Sequence, residues 1–166
     1  MDECVVIPRK LFEKLSEIGV DVESRVVEVL LRELKLDPGD EVEIRLELAE
    51  RFLAEGRALV DKDPVQAGEK LYKAAEECVK ALAAHFNIEE IMSRVRERGG
   101  WTAAELERAV LVASDRLGVW FEEAWDRAWA LHVWGFHEGK FDSGDVRRRL
   151  PYVERMVREV SRLIKR

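Results

Sequence analysis

Cysteine is scarce in this chain. Cys4 and Cys78 stand far apart with no second pair, which excludes a disulfide framework and a zinc cage built on thiolates. Cys78 falls on an apolar helical stripe and is expected to be a small core residue. The heat-labile amides are rarer still, with Asn87 and Gln66 each single, and Thr102 is the sole threonine. Set beside 37% charged residues, that depletion is the composition of a hyperthermophile protein. No apolar run approaches the roughly eighteen residues of a membrane span, and the opening M-D-E-C-V-V-I-P has neither the basic nor the apolar region of a signal peptide. A soluble, cytoplasmic protein without a membrane partner is expected. Gly-rich phosphate loops and nucleophile elbows are also missing, and no cofactor or metal is implied.

What is present is helical. The chain has 166 residues, 47% of them apolar, enough for one domain with a modest extension. Cys4-Val5-Val6-Ile7, halted by Pro8, reads as a short strand. A brief helix over 9–18 follows, closed by Gly19, and a second runs from Val22 to about Leu36. Asp37-Pro38-Gly39-Asp40 punctuates the chain, giving an extension over 1–38 and a helical domain over 39–166. A strand and two short helices resemble a ribbon-helix-helix module. Asp2, Glu3, Cys4 and the valines would repel phosphate and offer bases little to bond, so specific DNA binding is not expected and the segment reads as a packing arm or dimerisation strand.

In the domain, helices are expected from about Glu41 to Lys62, from Pro64 to about Phe86 and from Ala103 to Arg116. Gly56 and Gly68 on the first two would allow a close approach between helices. Glu69–Lys73 and Glu76–Lys80, acid four residues before base, read as a solvated stabilising face. Residues 87–101 read as a charged connection, and Thr102 with Glu105 forms a capping box. A last helix opens at Ser143 or Asp145 and reaches the C-terminus. Residues 147–166 hold eight basic and two acidic groups, a net of +6, leaving −12 on the remainder. That asymmetry would permit an anionic partner at one end.

Trp120 to Glu138 holds four of the five tryptophans and two of the three histidines. Trp120, Ala124, Arg127, Leu131 and Trp134 recur at helical spacing, and so do Phe121, Trp125, Ala128 and His132. Two such stripes make a helix buried around much of its circumference, so this one, running to Gly135, is expected at the centre of a five-helix up-and-down bundle in an all-α protein.

E-K-L-Y-K-A-A-E-E-C-V-K-A-L-A (69–83), G-G-W-T (99–102) and A-L-H-V-W-G-F-H-E (130–138) resemble the PaREP family of archaeal helical proteins, over most of residues 41–160. That family is similar, at a distance, to the HEPN superfamily, whose second helix A-A-E-E-C-V-K-A-L (74–82) resembles. The resemblance implies a HEPN-like bundle, commonly a homodimer, that partners a nucleotidyltransferase or acts as a metal-independent ribonuclease. Catalytic HEPN members carry an Arg, four to six residues and a His, with a polar residue after the Arg. Arg127 and His132 meet that spacing at its lower limit, while Ala128 departs from it.

Cleavage of RNA without metal needs an acid, a base and a cation beside the phosphate. Imidazole titrates near neutrality, so His132 could supply the first two, and Arg127 could clamp phosphate. Five residues turn an α-helix through about 500°, leaving the two roughly 140° apart. One chain cannot easily aim both at one phosphate, so the enzyme reading needs a composite site across a dimer axis. His132 and His137, also five apart, are expected on different faces. His137, Glu138, Arg147, Arg148 and Arg149 are further candidate binding residues for RNA or another acidic surface. The expectation is a HEPN-like interaction module, homodimeric, serving a protein or nucleic-acid partner. The alternative is a metal-independent ribonuclease using Arg127 and His132.

Overall fold

A computed structural model describes residues 3–19 and 21–166 of the chain. All of its regular structure is helical, and it divides into two compact units, residues 1–36 and 37–166. In the first unit, α1 (Arg9–Glu17) and α2 (Val22–Leu34) form a short pair. Asp21 caps α2 by accepting from the Ser24 N–H at 2.9 Å. Residues 4–7, expected as a strand, are not one here. A strand is defined by a ladder of hydrogen bonds to a neighbour, and no strand lies among the described residues. Asp2, counted with that segment, lies outside the described residues.

The second unit is built from α3 (Pro38–Leu59), α4 (Pro64–His85), α5 (Glu89–Arg98), α6 (Ala103–Leu117), α7 (Val119–Ala130), a π-helix (Leu131–His137) and α8 (Ser143–Ile164). Asp37-Pro38 opens α3 directly, because Asp37 accepts from the Asp40 N–H at 2.9 Å and proline suits the first helical turn. Residues 89–98, expected as a connection, form α5. Their helix-forming Glu and Arg residues pair along the surface, as in Arg94–Glu90, and Ile91 and Met92 are buried.

The central helix is α4, not the tryptophan-rich segment. It packs against α3, α5, α6, α7, the π-helix and α8, and fourteen of its 22 residues are buried. Small side chains make this possible. A Cβ at Gly56 of α3 would stand 2.8 Å from Cγ and Cδ2 of Leu71, so only glycine permits the observed α3–α4 approach. The expected solvated face of α4 is therefore no such thing. Lys80 is 5% exposed and bonds Glu76 at 2.8 Å, with Glu77 at 3.6 Å. Glu77 in turn meets the buried Arg45 of α3 at 3.0 Å. Charges sit inside here because they are paired with one another.

The capping box at α6 is present, with the Thr102 N–H and hydroxyl donating to Glu105. Glu105 also receives two bonds from Arg98, at 2.6 and 2.7 Å. Burial works to raise the Glu105 carboxyl, but the bonds from Arg98 and Thr102 win and hold it below the usual carboxylate range. A carboxyl depressed in the folded state stabilises above its unfolded pKa, and that contribution disappears as pH falls through the folded value. Glu105→Gln is thus expected to cost about 1–2 kcal/mol at neutral pH, the scale of a lost cap and a charged hydrogen bond. In urea titrations, the gap to wild type should close as pH drops below the carboxylate range. A gap that stays constant down to low pH would contradict this.

A candidate site around a histidine pair

The site forms where the end of the tryptophan-rich segment changes its winding. After Ala130 the backbone opens into a π-helix, and Glu138 N–H reaches back five residues to the Val133 carbonyl at 2.9 Å. Gly135 does not end the helix, as its pattern suggested. A π-helix repeats near five residues where an α-helix repeats near four. His132 and His137, expected on different faces, therefore share one, and their Nε2 atoms lie 3.1 Å apart.

α4 supplies the other half. His132 Nδ1 is 2.8 Å from Glu69 Oε2, and its ring stacks on Tyr72 with centroids 4.0 Å apart. Trp129 and Phe136 stand at 5.4 and 6.5 Å. A carboxylate only accepts, so Nδ1 of His132 carries the proton. In the neutral ring Nε2 then accepts from the Nε2–H of His137. Gly68 lets this happen: a Cβ there would sit 3.2 Å from the Leu131 carbonyl oxygen, at the first turn of the π-helix. His137 is exposed and His132 partly so, with 19% of its side chain accessible.

Tyr72 is held as a neutral phenol. Burial pushes it up first, followed by the charges of Glu76, Glu69 and Glu107 and a hydrogen bond to Glu76. It can donate a proton in a hydrogen bond but cannot act as a base. Burial likewise raises the Cys78 thiol, which rules it out as a nucleophile.

Arg127 does not join this group. Its guanidinium lies 5.0 Å over the ring of Tyr152 on α8, while His132 faces Glu69 and Tyr72 of α4; the two were not expected to converge within one chain. Of the candidate binding residues, Arg147 is paired with Asp61. Arg149 covers the Phe141 ring at 4.1 Å and donates to the Asp145 carbonyl at 2.9 Å. Arg148 and Glu138 are exposed. Further along α8, Arg158 and Arg162 meet Glu159, Lys165 meets Glu50, and Arg155 covers Trp120. Much of the basic charge concentrated in α8 is thus engaged within the fold.

Glu69 and Tyr72 were missed as site residues in the sequence. Glu69 is 63 positions from His132, and nothing local marks that pairing.

A family model for the archaeal PaREP1/PaREP8 family matches residues 44–157. The chain belongs to that family. A crystal structure of a Sulfolobus solfataricus protein is similar at 34% identity, over 74% of this chain and 94% of its own, with a TM-score of 0.58. A solution structure of the same target, the Orf c02003 protein, is also 34% identical, over 72% and 88%, with a TM-score of 0.55. No curated protein matches the chain. The PaREP1/PaREP8 match spans both halves of the histidine site, from α4 to the π-helix.

Proposed function

We propose that this PaREP1/PaREP8 chain is a non-catalytic, HEPN-like interaction module that works as a homodimer and presents its bundle to a protein partner. The observation that carries the dimer is the first unit. Residues 3–36 include no buried side chain among those described, and Leu11, Phe12, Leu30 and Leu34 are each at least half exposed. Val5 and Val6 are 91% exposed in an extended segment whose backbone groups lack a ladder. A unit this small cannot bury enough apolar surface alone and needs a second chain. A twin strand pairing with residues 4–7 would supply the ladder and cover the helices.

A protein partner is favoured over RNA by the surface of α7. Val119, Glu123 and Arg127 form an exposed stripe on α7, with Tyr152 of α8 beside Arg127, and Trp134 is exposed on the π-helix that follows. Tryptophan, tyrosine and arginine are the residues on which protein interfaces concentrate their energy. The HEPN resemblance points to a nucleotidyltransferase as that partner. The Ala128 departure from the catalytic HEPN pattern argues against cleavage.

Light scattering on the full chain is expected to give twice the chain mass, and Phe12→Asp with Leu30→Asp to give a folded single chain. A wild-type protein of single-chain mass would overturn the dimer. Metal-free dimer should leave single-stranded RNA intact. Cleavage abolished by His132→Ala would replace this reading with the ribonuclease.

A further inference from the structure

The separation that a hydrogen bond sets in the histidine pair is also one that two ligands of a single metal ion can adopt. His132 and His137 turn their Nε2 atoms toward each other at 3.1 Å. Two imidazole nitrogens bound to one ion at about 2.0–2.1 Å stand about 2.9–3.4 Å apart, for angles from square to tetrahedral. The observed separation falls within that span. The other nitrogen of His132 meets a carboxylate at 2.8 Å, Glu69. A carboxylate on the far nitrogen is the usual support of a metal-bound histidine, fixing its tautomer and ring orientation. Stacking on Tyr72 at 4.0 Å holds the ring plane from the side. The tautomer of His132, the plane of its ring and the separation of the two nitrogens are thus set before any ion arrives.

We propose that His132 Nε2 and His137 Nε2 bind a divalent transition-metal ion of the zinc or nickel class, with Glu69 as the positioning residue for His132. Imidazole nitrogen selects these ions over magnesium and calcium, which prefer oxygen. Binding balances without a net proton. In the neutral pair the one proton between the Nε2 atoms leaves His137 Nε2 and is carried instead on His137 Nδ1, which makes no hydrogen bond among the described residues. Among those residues no group of three or more His, Cys, Asp or Glu side chains gathers to hold a metal. The chain therefore offers two ligands, and water fills the remaining positions. Such a site is open toward solvent on the His137 side, where an exogenous ligand can enter.

The π-helix is what makes the site. In an α-helix the spacing of five would put the two rings on different faces, and only the wider turn aligns them. The open turn and the metal ligands are one feature of the chain.

Calorimetric titration of metal-free full-length protein with zinc chloride, in a buffer that does not chelate, is expected to show one ion per chain. Cobalt(II) in its place should give visible ligand-field absorption reporting nitrogen ligation. His137→Ala removes an exposed ring, leaves the core untouched and should abolish the zinc isotherm and cobalt band. Glu69→Gln keeps both ligands and should weaken binding about 10-fold or more. Its cobalt spectrum at saturation should resemble wild type, which loss of a direct ligand would not allow. Absence of binding in folded wild type, or an isotherm unchanged by His137→Ala, overturns the proposal. Glu123→Lys, on the exposed α7 stripe, should leave the zinc isotherm unaltered, and so should Phe12→Asp with Leu30→Asp. Failure of the dimer reading and failure of the metal site are thereby read separately.

Discussion

Glu77→Leu is expected to lower the unfolding free energy by about 3 kcal/mol or more, on the scale of breaking a buried ion pair from one side. Glu77 is 5% exposed and stands between Arg45 of α3, at 3.0 Å, and Lys80 one turn further along α4, at 3.6 Å. Arg45 retains Glu41 at 3.0 Å and Lys80 retains Glu76 at 2.8 Å. Arg45 and Lys80 would then keep one carboxylate each, with the buried carboxylate shared between them gone. Solvent can do little to replace the bond that Arg45 loses, because Arg45 itself is 2% exposed. Replacing both ends, Arg45→Met with Glu77→Leu, should cost clearly less than Glu77→Leu alone, since the buried Arg45 donor that loses its Glu77 acceptor is removed with it. Urea titrations with an unchanged slope would measure both. A single-variant loss below about 1 kcal/mol, or a double variant worse than the single, would show that the cluster does not hold α3 to α4 in this way.

Trp125→Ala is expected to cost about 3–5 kcal/mol, the range for removing a large buried aromatic. Trp125 is fully buried, lies 5.8 Å from the Tyr72 ring and 6.2 Å from that of Trp129, and donates from Nε1 to Glu107 at 2.7 Å. The substitution opens a cavity against α4, frees the Glu107 carboxylate and withdraws one wall from Tyr72, on which His132 stacks. Trp134→Ala is the control within the same stretch. Trp134 is 54% exposed, and its loss should stay within about 0.5 kcal/mol, as for other surface changes. Thermal denaturation of the two variants side by side decides the matter. Similar losses for both would mean that burial in this segment is distributed as the sequence pattern suggested.

That contrast marks how far the sequence could be read. The two stripes of the tryptophan-rich segment correctly place Phe121, Trp125 and Ala128 in the core, because side chains three and four apart on a helix must share a face. The companion stripe put Trp134 inward as well, and the structure leaves it on the surface. Periodicity identifies which side chains travel together. It does not say whether a neighbouring helix is there to cover them. The same limit explains α4. Its alanines, Gly68 and Cys78 showed a helix able to pack closely, but Lys80, read as surface charge, is buried and paired with Glu76 and Glu77, and Glu77 in turn meets Arg45 of α3.

By itself the sequence determined a chain dominated by helices, the starts of α4 and α6 through Asp63-Pro64 and Thr102, the Thr102–Glu105 capping box and the family, since each depends on residues near one another along the chain. Tertiary structure alone decided which helix stands at the centre, that Glu69 meets His132, and that His132 meets His137. The first two depend on segments brought together from far apart. The last depends on the backbone opening into a π-helix over Leu131–His137, where it packs against α4 at Gly68, a change of winding that no local pattern encodes.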